Sequence, residues 1–189
     1  MSARVIVLNG AGSVGKSSTA KALQRLADES FLHVQGDAFL DMIPPQLWGR
    51  PEGIIFRQLE ENDYPSIEIE MGLALNRLME GMRAAVAALA NAGSNCIVDD
   101  VMLSPSDQQS YVAECSNIPI QFVALHAPLE ILEKRERDRG DRVIGLARWQ
   151  YERVHRGIEY DFEIDTSASD ASTIAKLIAS ALHIPFTDS

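Results

Sequence analysis

The stretch RVIVLNGAGSVGKSSTAK, from Arg4 to Lys21, limits what this chain can become more than any other. Val5, Ile6, Val7 and Leu8 form an apolar run closed by Asn9-Gly10, the pattern of a short strand buried on both faces of a parallel sheet. Gly10, Ala11, Gly12, Ser13, Val14, Gly15, Lys16 and Ser17 then fill every fixed position of G-x-x-x-x-G-K-[ST]. Ser18 to Leu26 continues as a helix with Ala22, Leu23 and Leu26 on one face. Strand, glycine loop and helix are the context in which this motif holds phosphate.

Loop glycines let backbone N–H groups converge on one point, and the helix N-terminus adds partial positive charge there. Residues Gly10 to Ser18 are therefore read as the nucleotide-binding set. Lys16 is expected to bring a full charge to the β- and γ-phosphates, and the Ser17 hydroxyl to ligate Mg²⁺. The chain is read as one that binds a nucleoside triphosphate.

Composition narrows the class. The 189 residues suit one domain, read as residues 1–189, and 46% hydrophobic residues are ample for its core. A net charge of −10 makes nucleic acid an unfavourable partner, since an acidic surface repels a phosphate backbone. No apolar run approaches the ~20 residues that cross a membrane, and the N-terminus runs directly into a strand, so neither a span nor a signal peptide is expected. Cys96 and Cys115 form no C-x-x-C pair, which fits a reducing cytoplasm, and Cys96 sits in an apolar strand as inert core.

Along the chain, Phe31 to Gln35 reads as a second strand ending at Gly36-Asp37. Ligands of open α/β sheets bind outside the carboxyl ends of strands, which places Asp37 at the mouth of the site. Asp37 is a candidate base or acceptor-orienting carboxylate; it also suits the N-cap of a short helix over 38–42, and the two roles are compatible. His33, mid-strand, is read as structural. The region from Gln46 to Tyr64 reads as irregular, and its Trp48 and Phe56 either line a binding surface or pack a plain loop. A long helix is expected from about Ser66 to Asn91, with Ile69, Leu73, Leu78, Met82, Val86 and Leu89 on its buried face.

Cys96 to Asp100 then forms an apolar strand ending in two acids, the Walker B pattern. Successive strand residues point to opposite faces, so the two acids cannot share one role; either could face the metal, and Asp99 is the favoured one, with Asp100 on the acceptor side. A helix from Ser104 to Cys115, a strand over 118–125 and a helix from Pro128 follow. That helix carries Arg135, Arg137, Arg139 and, beyond Gly140, Arg142. Continued to Arg142, it would place Arg135, Arg139 and Arg142 on one face, where guanidinium groups could meet a transferring phosphoryl group. Residues 144–154 read as helix with Trp149 buried, 160–165 as an edge strand, and 171–182 as a last helix capped by Ser169-Asp170.

Five segments in this order, VIVLNGAGSVGKSS, the Gly36-Asp37 strand end, CIVDDVML, RERDRGDRVIGLA and VHRGIEYDFEIDTS, together resemble the chloramphenicol phosphotransferase family of small P-loop kinases. The loop motif is generic, whereas RGDRVIGLA and VHRGIEYDFEIDTS are specific. The resemblance implies an α/β P-loop kinase fold, with a five-stranded, mainly parallel sheet, helices on both faces and a short arginine-rich lid at about 135–145. The insert at about 38–66, the least similar part, would cover the acceptor through Trp48 and Phe56. The implied reaction uses ATP and Mg²⁺ to phosphorylate a primary hydroxyl of chloramphenicol, an antibiotic-resistance activity. It implies Asp37 as base, with Lys16 and Arg139 beside it in catalysis. Arg135 and Arg142 would also hold nucleotide, and adenine would lie under the backbone at Thr166. The partner expected is a small hydroxylated molecule. The alternatives are a kinase for a nucleoside, shikimate-like acid or sugar, and a P-loop ATPase or switch, which would need no acceptor-side carboxylate.

Overall fold

The computed structural model describes residues 3–59, 64–140 and 143–187. Five strands, β1 (Val5–Asn9), β2 (Phe31–Gln35), β5 (Asn95–Asp100), β6 (Ile120–His126) and β7 (Phe162–Asp165), form a sheet in the order β2-β5-β1-β6-β7. Every pairing in it is parallel. The crossovers contain α1 (Lys16–Leu26), α3 (Leu73–Asn91), α4 (Pro105–Glu114), α5 (Leu129–Arg139) and α6 (Leu146–Tyr151); α7 (Ala171–Ala181) follows the last strand.

A sheet of this kind must be covered on both faces, and the sequence supplies both. Ile6 and Leu8 pack toward Leu23, Ile174 and Ile178, while Val5 and Val7 pack toward Met82, Val86 and Tyr111. All four β1 side chains are fully buried, each stabilising the fold by about 1.5–3 kcal/mol. Burial also pushes the Cys96 thiol up to about 11, so it stays protonated at neutral pH.

Register brings the chemistry to one edge. Asn9 pairs with Asp100 and Ala124, and Gln35 pairs with Asp99, so the carboxyl ends of four strands align beside the glycine loop.

The expected helix from Ser66 to Asn91 is corrected. Its first part is a strand, β4 (Ser66–Met71), paired antiparallel with β3 (Ile54–Leu59) in a separate two-stranded hairpin. So the stretch from Gln46 to Tyr64 is not irregular throughout. Ile67 and Ile69 alternate with Glu68 and Glu70, a period of two, and Arg57 pairs across the hairpin with Glu70. Gly72 separates strand from helix: a Cβ there would lie 2.2 Å from the Pro51 carbonyl oxygen. The buried stripe of α3 runs through Leu75, Met82 and Val86, and Leu73 is exposed.

The short helix α2 (Gly36–Leu40) begins two residues earlier than the N-cap reading of Asp37 requires. Gln35 is the N-cap and Asp37 lies in the first turn. The arginine helix stops at Arg139 because Gly140 turns into the left-handed region at φ 68°. It does not continue to Arg142, which lies outside the described residues. The helix expected over 144–154 is confined to α6, and Trp149 is buried as expected.

Candidate active site

The glycine loop crosses the top of the sheet between β1 and α1. Gly10 is required by close approach, since a Cβ would lie 2.6 Å from the Leu125 carbonyl oxygen on β6. Buried Val14 anchors the loop, and Gly15 at φ 105° turns it into α1. Lys16 is 8% exposed, and its Nζ donates to the carbonyl oxygens of Gly10 (2.7 Å) and Ala11 (3.1 Å). The ammonium is thus folded over the loop that would cradle phosphate.

Ser17 Oγ donates to Asp99 Oδ2, and His33 Nε2 lies 3.6 Å from the same oxygen. Burial alone would raise the Asp99 carboxyl; the His33 contact, the Lys16 charge and the Ser17 hydrogen bond outweigh it and hold Asp99 below the usual carboxylate range. An ionised carboxylate and a hydroxyl side by side at the loop are the hard oxygen donors that Mg²⁺ accepts. Among the described residues there is no cluster of three or more acidic, histidine or cysteine side chains that would hold a metal unaided.

Asp100 points the other way. Its Oδ2 accepts from Tyr111 Oη (2.8 Å) and its Oδ1 from the Val101 amide (2.7 Å). Burial pushes its carboxyl up, against the pull of Tyr111 and of the Arg83 charge. Asp100 lines the larger of the two cavities described below, with both oxygens committed to the protein.

Two cavities open on the loop. One, of about 500 Å³, is bounded by Ser13 to Gly15, by Arg135 and Arg139, and by Thr166 and the start of α7. Thr166 is 4% exposed, and its hydroxyl donates to the Val14 carbonyl oxygen at 2.7 Å. Arg135 Nη2 donates to the Thr166 carbonyl oxygen (2.8 Å) and Nη1 to Thr166 Oγ1 (3.2 Å). These bonds pin the segment after β7 to the glycine loop and set the width of the cavity. Arg135 is thereby placed as a wall of it.

The other cavity, of about 610 Å³, reaches from Lys16, Ser17, Asp37 and Asp99 to an apolar end made by the hairpin. Trp48 and Phe56 stack there with ring centroids 6.0 Å apart and 19° between planes. Ile54, Ile69, Leu75 and Met79 complete that wall. The two cavities share Ser13, Gly15, Ser18 and Arg139, so Arg139 stands where they meet.

Sequence reasoning missed the framework around these groups. Glu136, 2% exposed, accepts from the amides of Gly145 (2.7 Å) and Ala147 (2.9 Å) and from Tyr64 Oη (3.0 Å). It ties the arginine helix to α6 and to the end of the hairpin loop. Tyr64 lies between the guanidinium groups of Arg137 and Arg148, 5.1 Å and 5.4 Å from its ring centroid. Gln150 Oε1 accepts from the Gly12 amide at 2.7 Å. His33 was legible only as a strand residue, because its partner Asp99 lies on a strand distant in sequence.

Comparison with known proteins identifies the family and the fold. The model of the chloramphenicol phosphotransferase-like protein family matches residues 3–183. A Mycobacterium tuberculosis (strain H37Rv) protein, named for an inferred O-phosphotransferase activity, is 32% identical over 178 residues, covering 92% of this chain and 79% of its own. Among solved structures, a sugar kinase from Janibacter sp. HTCC2649 superposes with a TM-score of 0.66 at 17% identity, covering 96% of this chain and 95% of that one. The Mycobacterium tuberculosis APS kinase, solved with AMPPNP and APS, gives 0.65 at 14% identity, covering 96% and 98%. The chain belongs to the chloramphenicol phosphotransferase-like family. It has the P-loop kinase fold and is a phosphotransferase.

Proposed function

We propose that this enzyme transfers the γ-phosphoryl group of ATP to a hydroxyl of a small molecule with an apolar body, and that the primary hydroxyl of chloramphenicol is one it accepts. The observation that carries this reading is the meeting of two cavities at the glycine loop, with Asp37 and Lys16 in the walls of the one that ends in Trp48 and Phe56. Nucleoside lies in the cavity walled by Arg135 and Thr166, and the phosphate tail follows the loop toward Lys16.

The acceptor lays its apolar part on the aromatic stack and turns its hydroxyl toward Asp37. Asp37 takes the hydroxyl proton as the oxygen bonds to the γ-phosphorus, and the bond from that phosphorus to the bridging oxygen of ADP breaks. Lys16, Arg139 and the loop amides meet the negative charge that spreads over the transferring oxygens. Ser17 and Asp99 would hold Mg²⁺, which when bound neutralises charge on the β- and γ-phosphates. Arg142 belongs to this reading as a further lid arginine. Asp100 serves the acceptor side by fixing the end of β5. The acceptor cavity is lined by more acids (Asp37, Asp41, Asp99, Asp100 and Glu136) than bases (Lys16 and Arg139), which disfavours an anionic acceptor such as a shikimate-like acid. Among the described residues no helix is long and apolar enough to cross a membrane. A cytoplasmic location completes the proposal, since ATP is its phosphoryl donor.

The test is transfer from γ-labelled ATP to chloramphenicol, with mass spectrometry of the product. The expected product is heavier by one phosphate and absent with Asp37→Ala, whose nucleotide affinity stays at the wild-type value. Transfer to other apolar alcohols but not to chloramphenicol would remove the antibiotic from the reading and keep the chemistry. Equal loss of transfer and nucleotide binding in Asp37→Ala would remove Asp37 as base.

A further inference from the structure

Gln150, on α6, is 5% exposed and touches the glycine loop at one atom. The Gly12 backbone group 2.7 Å away is an N–H, which can only donate. The atom facing it must therefore be Oε1, and this fixes the orientation of the whole amide. Nε2 is left at the opposite end with two hydrogens to donate. Among the described residues it enters no hydrogen bond, and it is not one of the sealed, unpartnered polar atoms of the interior. Gln150 lines the cavity into which Lys16, Ser17 and Asp37 open, and not the one bounded by Thr166. Gln150 thus belongs to the wall of the cavity that Lys16 also lines, and its Nε2 is the polar atom of that side chain still open to a ligand.

From this placement, and resting on the phosphotransferase reading above, we propose that Gln150 is a catalytic residue: its Nε2 donates hydrogen bonds to the γ-phosphoryl oxygens, while its Oε1 holds the loop at Gly12. One amide joins loop geometry to transition-state charge, at no cost of reorganisation, because the Gly12 bond is already made before nucleotide arrives.

Gln150→Glu separates the two ends. A carboxylate still accepts from Gly12, but presents an oxygen where the donor stood. Affinity for ADP, which lacks the γ-phosphate, should stay within about twofold, affinity for AMPPNP should fall by about tenfold or more, and kcat should fall by about 100-fold. Gln150→Met is the second variant. It loses both ends, so both affinities weaken, and the AMPPNP-to-ADP affinity ratio cancels the damage they share. The ratio should fall in both variants. An unchanged ratio in both would overturn the proposal and leave Gln150 as a buttress of the loop. The nucleotide comparison needs no acceptor. It therefore stands or falls separately from the identity of the alcohol, and even from whether any alcohol is phosphorylated.

Discussion

Glu136→Gln is the perturbation that most directly tests how α5, hairpin and α6 are joined. Three donors converge on the two carboxylate oxygens: the amides of Gly145 and Ala147 and the Tyr64 hydroxyl, at 2.7, 2.9 and 3.0 Å. The N-terminus of α6 has no side-chain cap from its own N-cap residue, Gly145, so Glu136 supplies the capping acceptor from another helix. A glutamine keeps the shape but offers one oxygen, and sets an N–H₂ group against a donor it cannot satisfy. A buried donor left without a partner costs about 1–3 kcal/mol. One lost amide bond and a weakened Tyr64 bond give roughly 3 kcal/mol, with Glu136→Ala at least as large. For a chain of this size that lowers Tm by about 6–12 °C. Thermal and urea unfolding, read by circular dichroism, measure it. A Glu136→Gln protein within about 0.5 kcal/mol of wild type would refute the claim that one carboxylate bridges the three elements.

Two further outcomes are expected. Lys16→Ala should lower kcat by at least about 100-fold and weaken ATP more than ADP, because the ammonium serves the outer phosphates; steady-state kinetics with binding titrations check it, and unchanged turnover would contradict the loop assignment. His155 is held down to about 4, first by burial and then by His126, whose ring lies 4.1 Å away. Its unfolded value is about 6.5, so between pH 6.5 and 4 the unfolded chain binds a proton that the native one does not. Stability should fall as pH falls through that window. His155→Gln, which can still bond Tyr160, should show a smaller fall between pH 7 and 4.5 in urea-unfolding midpoints.

What the sequence carried, and what it hid, divide along a physical line. The sheet, the loop and Asp37 at a strand end were legible because each rests on local chemistry: an unbroken apolar run, glycines at fixed spacing, an acid where a strand stops. The division of Asp99 from Asp100 followed from strand alternation alone, and the partners Ser17 and Tyr111 lie on opposite sides accordingly. The hairpin was lost because Ile67 and Ile69 continue into a helical pattern, and only Gly72, hemmed in by Pro51 and Glu52, marks the change of period. Glu136 and Gln150 were hidden for a different reason. Each lies on a helix whose own sequence gives it no distinction, and each matters through an amide on another element, Gly145, Ala147 or Gly12. Such groups bond backbone, and backbone carries no side-chain signal at the partner position. Charge pattern conceals the same region: Glu133 and Glu136 stand among arginines in the sequence, yet both are buried, with Glu133 held by Arg148 and Glu136 by amides. The arginine cluster therefore divides: Arg135 is bonded to Thr166 in the wall of one cavity, and Arg139 stands at the junction of both, where the proposed transfer calls for a cation.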